Sequence, residues 1–207
     1  MQDSKDLIQT ILELASNRQR VFVAIAGPPA SGKTTLCESL ETSLSQQTSV
    51  AVVAMDGFHY DNQILKDKNL LERKGAPNTF DVTGLYLLLN GLKNQTMPMA
   101  VPVFDRTLDL ARNSARLISP EDKIILVEGN YLLCEQAPWN TLAACFDYTV
   151  SLNVAEEELK RRLVQRWLNH DHTPEQAKQR AHSNDLPNAK YVIQHSGAAD
   201  YELNSKV

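Results

Sequence analysis

Residues 27–35, GPPASGKTT, fit the pattern G-x-x-x-x-G-K-[ST] of a phosphate-binding loop. An apolar, β-rich segment precedes them and a helix-compatible run follows, which is the context such a loop requires. In such a loop, backbone N–H groups and the start of the helix attract phosphate oxygens. Lys33 can reach the β- and γ-phosphates, and the Thr34 hydroxyl can ligate Mg²⁺. The segment therefore predicts a nucleotide phosphate site, with an ordinary strand-to-helix turn as the alternative. Its nucleotide-binding residues are Gly27, Ala30, Ser31, Gly32, Lys33, Thr34 and Thr35.

Two carboxylates stand at the ends of apolar, strand-like runs. Asp56 follows the run 52–55, where it could accept the proton of a substrate hydroxyl or hold Mg²⁺ through water; a turn role for Asp-Gly is the alternative. Glu128 follows the run 124–127, where nucleotide-binding folds place the residue that orients Mg²⁺ or its waters; a solvated strand end is the alternative. Asn130 could line the same cleft or be structural.

The order of elements predicts an α/β fold, a P-loop NTPase-type parallel sheet with helices on both faces, in a single domain over residues 1–207. The region 105–120, like 56–81, looks irregular and begins at a strand end where ligands bind in open sheets, so both are expected to be functional loops. An amphipathic helix is expected over residues 1–17. The expected strands are 20–26, 50–55, 100–104, 123–128 and 147–153, with 199–204 at an edge, and the other expected helices are 33–46, 82–94, 155–170 and 173–182.

The predicted helix 155–170 carries an apolar stripe that includes Leu163 and Trp167. Arg162 and Arg166 lie one turn apart on a border of that stripe, so two guanidinium groups could reach the triphosphate together. Arg161 points nearly opposite and is expected to be solvated. The alternative is that all of these arginines only keep the helix soluble.

Other polar residues fall in the two loop regions and beyond. His59 and Tyr60 follow Asp56 closely enough to contact the same substrate, although a lone histidine is more often structural. Arg73 and Lys74 form a basic turn suited to an anionic or polyhydroxyl substrate, or a plain surface turn. The segment 184–188 is expected to end one helix and start another, near the adenine or the lid.

Composition restricts the class of partner. The chain has 207 residues, 43% of them hydrophobic and 22% charged, and a net charge of −4, which is ordinary for a globular protein and offers no general basic surface for nucleic acid. Its three cysteines have no metal-ligand spacing, which suits inert thiols in a reducing compartment. No apolar run is long enough to cross a bilayer, and the N-terminus lacks the features of a signal peptide. We therefore expect a cytoplasmic protein whose partner is a small molecule, not a nucleic acid or a membrane, and a homodimer stays open.

Several stretches together carry a family resemblance. They are GPPASGKTT, MDGFHYDN, ERKGAPNTFD, PVFDRTLD, VEGNYLL, RRLVQRWL and NDLPNAKYV, spread over residues 20–192. The chain resembles the P-loop small-molecule kinases grouped as uridine kinase, phosphoribulokinase and bacterial pantothenate kinase, and most of all a bacterial subgroup labelled fructose-transport-associated kinase. The resemblance implies ATP and Mg²⁺ as cofactors and a helical lid near 155–190. It also implies Asp56 as catalytic base, Arg162 and Arg166 on the lid, and Arg73, Lys74, Asp105 and Arg106 on the substrate side. The catalytic role expected of Lys33, which is to stabilise charge on the transferring phosphoryl group, comes from the phosphate-loop chemistry itself.

The expected activity is transfer of the γ-phosphoryl group of ATP·Mg²⁺ to a hydroxyl of a small polar metabolite, such as a sugar, a nucleoside or a pantothenate-like compound. The segment 59–62 offers hydrogen-bonding groups where uridine kinases have an aromatic-rich segment, which favours a sugar or polyol. Two alternatives stay open: a nucleotide kinase with a phosphate acceptor, and a regulatory module that binds or hydrolyses ATP. The sequence leaves open the acceptor's identity and whether Asp56 is a base or a metal ligand.

Overall fold

A computed structural model describes residues 2–204, with side chains from residue 5 onward, so Met1 of the predicted N-terminal helix lies outside the described residues. The strands are β1 (Val21–Ala26), β2 (Val50–Ala54), β3 (Met99–Asp105), β4 (Leu110–Ile118), β5 (Ile124–Gly129), β6 (Tyr148–Asn153) and β7 (Tyr201–Asn204). The α-helices are α1 (Gln2–Ser16), α2 (Lys33–Leu44), α3 (Asn62–Asp67), α4 (Val82–Lys93), α5 (Glu156–Leu168), α6 (Pro174–Arg180) and α7 (Leu186–His195).

The central sheet has five parallel strands in the order β2-β5-β1-β6-β7. Successive side chains of a strand point to opposite faces, and in β1 the alternation divides the residues between two cores. Val23 and Ile25 pack in the core that contains residues of α1 and α2. Phe22 and Ala24 pack in the core that contains residues of α4. The predicted α/β sheet, covered on both faces, is confirmed.

The predictions for residues 100–120 were wrong in two respects. Strand β3 is not part of the parallel sheet: it pairs antiparallel with β4 in a separate hairpin. The region 105–120, predicted to be irregular, is mostly the strand β4. The reason is that residues 112–117 are all exposed, so β4 lacks the apolar pattern that marks a buried strand and is held by cross-strand hydrogen bonds to β3. The register shifts between Val101 and Val103, at Pro102, which has no N–H to donate.

The other region predicted to be irregular, 56–81, contains short helical pieces in place of one open loop. Besides α3, it has 3₁₀ turns at Met55–Phe58, Leu71–Arg73 and Pro77–Thr79. The segment ends at Asp81, whose side chain accepts the N–H of Gly84 at 2.8 Å and caps α4. This folded segment fixes the backbone that carries Asp56, His59, Arg73 and Lys74.

Helices α5, α6 and α7 form the C-terminal helical region. A π-helical turn, Ala181–Asp185, joins α6 to α7, so the helical path is widened, not broken, where a break was expected. Leu163, Ala181 and Leu186 form a small apolar core there, against which Trp167 and Ala30 of the phosphate loop pack. The helical region therefore rests directly on the predicted nucleotide site. Among residues 2–204, no helix is both long and apolar enough to cross a membrane.

Candidate functional site

The phosphate loop connects β1 to α2 with a backbone that only particular residues allow. Gly27 has φ +154°, and a Cβ there would lie 2.9 Å from the Leu152 carbonyl oxygen, so this position requires glycine. Ala30 also has a positive φ of 64°. No side chain caps the N-terminus of α2, which leaves the N–H groups of its first turn without side-chain partners. These N–H groups are available to an anion.

Lys33 is a buried ammonium at the centre of this loop. The residue is only 9% exposed, and its Nζ donates a hydrogen bond to the Pro28 carbonyl oxygen at 3.0 Å. Among residues 5–204, no carboxylate oxygen lies within 4.0 Å of Nζ. Burial lowers the pKa of Lys33 to about 8, although Asp56 and Glu128 oppose the lowering. A buried cation without a close anionic partner is the electrostatic signature of a site for an anion.

The hydroxyl of Ser31 is a second buried polar group of the loop. Ser31 Oγ is buried and makes no hydrogen bond among the described residues. Buried polar groups are normally paired, so an orphaned hydroxyl in a site calls for an explanation such as a bound ligand. Together with the buried Lys33 ammonium, which has no ion-pair partner among residues 5–204, it fits a loop that surrounds phosphate oxygens.

Thr34 and Glu128 form a pair beside the loop. Thr34 Oγ1 donates to Glu128 Oε2 at 2.9 Å, and β5 places Glu128 beside Ile25 of β1. Burial raises the pKa of Glu128, an effect that the hydrogen bond from Thr34 opposes. Hydroxyl and carboxylate oxygens are ligands that suit Mg²⁺, which is usually completed by substrate phosphates and water. Two such oxygens suit a metal that shares its ligands with a nucleotide. Within the described part of the chain, no group of three or more His, Cys, Asp and Glu residues could hold a metal ion.

Asp56 lies in the 3₁₀ turn that follows β2. The turn packs closely on β3, since a Cβ on Gly57 would lie 2.6 Å from the Pro102 carbonyl oxygen. This contact brings the hairpin tip to the carboxylate, where Arg106 Nη2 lies 3.0 Å from Asp56 Oδ2. Oδ1 of Asp56 makes no hydrogen bond to the side chains and backbone of residues 5–204. One oxygen of the predicted base is therefore held, and the other is open to a substrate.

His59 is oriented by the same turn. Its Nδ1 lies 2.8 Å from the Asp56 backbone carbonyl oxygen, and because a carbonyl only accepts, Nδ1 carries the proton. Burial lowers the pKa of His59, so the ring is neutral at pH 7 and Nε2 is an acceptor. The ring packs against Phe80 and Phe104, with centroids 4.0 and 4.8 Å away. Tyr60, the next residue, is half-buried, and Asn130 follows the end of β5.

Three other predicted substrate residues bind groups of the protein itself. Lys74 Nζ contacts Asn62 Oδ1 at 2.7 Å, the Asp109 carbonyl oxygen at 2.5 Å and Asp109 Oδ1 at 3.0 Å. Arg73 Nη1 donates to the Ser183 carbonyl oxygen at 2.7 Å. Asp105 Oδ1 accepts the N–H groups of two residues of the hairpin tip, at 3.1 Å each. The substrate-binding role of Arg73, Lys74 and Asp105 stays a prediction.

Of the two arginines predicted to lie on a lid, Arg162 contacts the phosphate loop directly. Arg162 Nη1 donates to the Ser31 carbonyl oxygen at 3.4 Å, and its Nε donates to Glu158 Oε1 at 2.7 Å. Arg166 is close enough to add to the lowering of the Lys33 pKa, and its guanidinium carbon is 5.9 Å from the Trp167 ring centroid. Arg161, by contrast, has a side chain 67% exposed, as its position on the helix predicts.

The sequence reasoning missed several partners of these residues. Glu158 was detectable, because an acidic residue four positions before Arg162 is the spacing of a helical ion pair. No such local spacing marked the partners of Lys74, which are Asn62 and Asp109, or the partner of Arg73, which is Ser183.

The arrangement of these groups defines the class of the protein. The phosphate loop, the carboxylates that follow two adjacent strands and the arginines of a helix packed on the loop are the site of a P-loop protein.

Comparison with known proteins defines the family. A family model described as AAA domain matches residues 23–182, which is more than half of the chain. A crystal structure titled as that of a putative fructose transport system kinase from Silicibacter sp. TM1040 is 41% identical, with a TM-score of 0.92 and coverage of 97% of this chain and 98% of that chain. A Schizosaccharomyces pombe protein with the name putative uridine kinase is 30% identical, over 96% of this chain and 88% of its own.

A pantothenate kinase from Ligilactobacillus salivarius is also 30% identical over 80% of this chain, but only 54% of that enzyme is covered. The chain thus spans about half the length of that relative, and nearly all of the other two. It belongs to the P-loop small-molecule kinases related to uridine kinase and pantothenate kinase, and is itself a kinase of this kind. The resemblance read from the sequence motifs is confirmed.

Proposed function

We propose that this kinase transfers the γ-phosphoryl group of ATP, bound with Mg²⁺, to a hydroxyl of a small polar metabolite: a sugar, a nucleoside or a pantothenate-like compound. One observation carries the proposal. The buried Lys33 has no ion-pair partner among residues 5–204 and lies in the phosphate loop after β1, while the turn after β2 of the same parallel sheet presents Asp56, of which Arg106 contacts only Oδ2. In this proposal the whole chain acts as one kinase domain, with residues 155–190 as its lid.

The nucleotide phosphates would bind to the N–H groups of residues 27–35 and to Lys33, whose charge they would stabilise. Thr34 would ligate Mg²⁺ directly, and Glu128 would hold a water of its shell. When bound, the metal neutralises part of the phosphate charge. Thr34 and Glu128 support this assignment because their oxygens already lie 2.9 Å apart beside the loop.

In the reaction, the acceptor hydroxyl oxygen bonds to the γ-phosphorus as the bond from that phosphorus to the β–γ bridging oxygen breaks, and ADP leaves. The hydroxyl proton passes to Asp56 Oδ1, while Arg106 on Oδ2 keeps the carboxylate oriented. Arg162, Arg166 and Lys33 stabilise the charge that spreads over the equatorial phosphoryl oxygens. Closure of the lid excludes water from the γ-phosphate.

The polar groups beside Asp56 favour an acceptor with more than one hydroxyl. Asp56 Oδ1 and His59 Nε2 both accept hydrogen bonds, and a polyhydroxyl compound can donate to both. One observation favours the second candidate, a nucleotide kinase with a phosphate acceptor. The Arg106 side chain is 56% exposed at the acceptor side and could pair with an anion in place of Asp56.

Acceptor-dependent release of ADP tests the proposal. Sugars, polyols, nucleosides, pantothenate and nucleoside monophosphates are each added to the protein with ATP and Mg²⁺, and ADP is measured with and without the compound. The expected result is a rise with one hydroxyl compound that is lost in Lys33→Ala, while Lys33→Ala keeps a native-like melting transition. A response only to monophosphates would select the second candidate. Slow ADP release that no compound changes would contradict both.

A further inference from the structure

In the π-helical turn Ala181–Asp185, the carbonyl of Ser183 lacks the N–H donor that an α-helix would give it. In an α-helix the N–H of residue 187 would bond to the carbonyl of Ser183, but Pro187 has no N–H, and its ring crowds that carbonyl. The chain relieves the crowding by widening: the Leu186 N–H bonds to the Ala181 carbonyl, five residues back. The Ser183 carbonyl is left to a partner outside the helix.

Arg73 of the acceptor-side loop takes that place. Its Nη1 donates to the Ser183 carbonyl oxygen at 2.7 Å, and its Nη2 lies 3.5 Å from Oδ1 of the buried Asn188. A second connection runs in the opposite direction, because Asn184 Nδ2 donates to the Lys74 carbonyl oxygen at 2.8 Å. Adjacent residues of one loop are thus tied to adjacent residues of one helical turn.

Each side of this junction continues to a group of the site. On the acceptor side, the Lys74 ammonium has three oxygen contacts within 3.0 Å, two of them from Asp109 at the tip of the β3–β4 hairpin. On the lid side, Asp185 accepts the Trp167 Nε1–H at 2.5 Å, and Trp167 is the residue after Arg166. The hairpin that carries Arg106 and the helix that carries Arg166 are therefore linked through the loop residues 73–74 and the turn 183–185.

We propose that Arg73 is a positioning residue that couples the lid to the β3–β4 hairpin, which carries Arg106. Closure of the lid over the nucleotide then moves the hairpin. This inference rests on the proposed nucleotide site. The Ser183 carbonyl lies at an exposed residue, so water can replace Arg73 there. Loss of Arg73 then removes one of the two ties. It also takes away the 3.5 Å contact to Oδ1 of the buried Asn188, so a melting transition is measured to check that the variant folds.

Hydrogen exchange with Mg·ADP as the probe tests the coupling. We expect Mg·ADP to draw the lid toward the phosphate loop through its β-phosphate, and it lacks the γ-phosphate that could reach Arg106. Wild-type protein should show slower exchange in the lid, 156–186, and also in the hairpin tip, 105–110. In Arg73→Met the lid should keep this protection while that of the hairpin tip falls at least threefold. Pro187→Ala supplies an N–H that competes for the Ser183 carbonyl and should weaken the hairpin response with Arg73 intact.

The matched control is Arg161→Met, the same change on the exposed face of the lid, which should behave like wild type. Asn184→Ala removes the other tie and gives a second test should Arg73→Met fail to fold; the hairpin response should again fall. Equal hairpin protection in Arg73→Met and wild type, or a wild-type hairpin that does not respond while the lid does, would overturn the coupling alone. Failure of wild-type protein to bind Mg·ADP would overturn the proposed nucleotide site as well.

Discussion

Arg106 Nη2 lies 3.0 Å from Asp56 Oδ2, so the tip of a hairpin outside the main sheet contacts the carboxylate at the end of β2. The side chains are 56% and 31% exposed, and ion pairs this accessible contribute only about 0.2–1 kcal/mol. The pair is therefore weak enough for an acceptor to displace. The contact matters for the shape of the site, because it places the β3–β4 hairpin beside Asp56 as one wall of the space where an acceptor would bind.

Asp56→Asn should separate binding from chemistry. The amide is nearly isosteric but cannot take a proton, so phosphoryl transfer should fall by about 10²-fold or more, the scale of a lost general base. The affinity for ATP and Mg²⁺, measured by calorimetry, should stay near that of wild type. Activity within a few-fold of wild type would give Asp56 a structural role, and a large loss of Mg²⁺ affinity would make it a metal ligand.

Replacement of Lys33 by methionine should stabilise the free protein at neutral pH. Below pH 8 the folded protein carries a buried ammonium that the unfolded chain hydrates, and a pKa lowered from 10.5 to about 8 corresponds to about 3 kcal/mol. Above pH 8 the unfolded state binds more protons than the folded state, so wild-type unfolding free energy should rise with pH up to about 10.5.

Urea unfolding at pH 7 and at pH 10 checks this. Lys33→Met should exceed wild type in unfolding free energy at pH 7, and the gap should narrow at pH 10. Lys178→Met, at an exposed lysine of α6, is the control and should show neither effect. A Lys33→Met protein that is less stable than wild type at pH 7 would show that Lys33 is not an electrostatic cost to the free protein.

Glu128→Gln should raise the Mg²⁺ concentration needed for activity. The hydrogen bond with Thr34 can persist in the amide, but the charge that orients the metal's waters is lost, and losses of outer ligands typically cost about 10–100-fold in metal affinity. A Mg²⁺ titration of ADP release at fixed ATP measures the change. Thr34→Val should have the same direction of effect, whereas Thr42→Val, on the exposed face of the same helix, should have none. An unchanged titration in Glu128→Gln would remove Glu128 from the metal's surroundings.

Arg166→Lys, and more weakly Arg162→Lys, should lower kcat while ATP affinity changes little. Lysine keeps the charge but loses the planar donor fork, so a loss of about 10-fold or more is expected, less than the loss on removing such an arginine entirely. A kcat effect without a binding effect marks contacts made mainly in the transition state. Arg161→Lys, on the exposed face, is the matched control. Normal turnover in both variants would show that Arg162 and Arg166 are not needed for phosphoryl transfer and only keep the helix soluble.

Local sequence was sufficient for the parts of the site that depend on neighbouring residues. A phosphate loop is a contiguous run whose glycine spacing dictates its backbone, and the apolar runs before Asp56 and Glu128 mark strands that end at one edge of a parallel sheet. The spacing of Arg162 and Arg166 placed both on one side of a helix, because helical periodicity is itself local.

The tertiary structure decided which side chains meet across the chain. Strand β4 carries exposed polar residues, so no periodic pattern announced the hairpin that brings Arg106 to Asp56, 50 positions away. The link from Arg73 to Ser183 spans 110 positions and depends on a carbonyl released by Pro187. Contacts of this kind arise only when separate elements pack together, because their hydrogen bonds join groups that no local periodicity relates. The sequence thus determined the phosphate loop and the strand ends of the candidate site, and packing alone decided how its predicted acceptor side and predicted lid are connected.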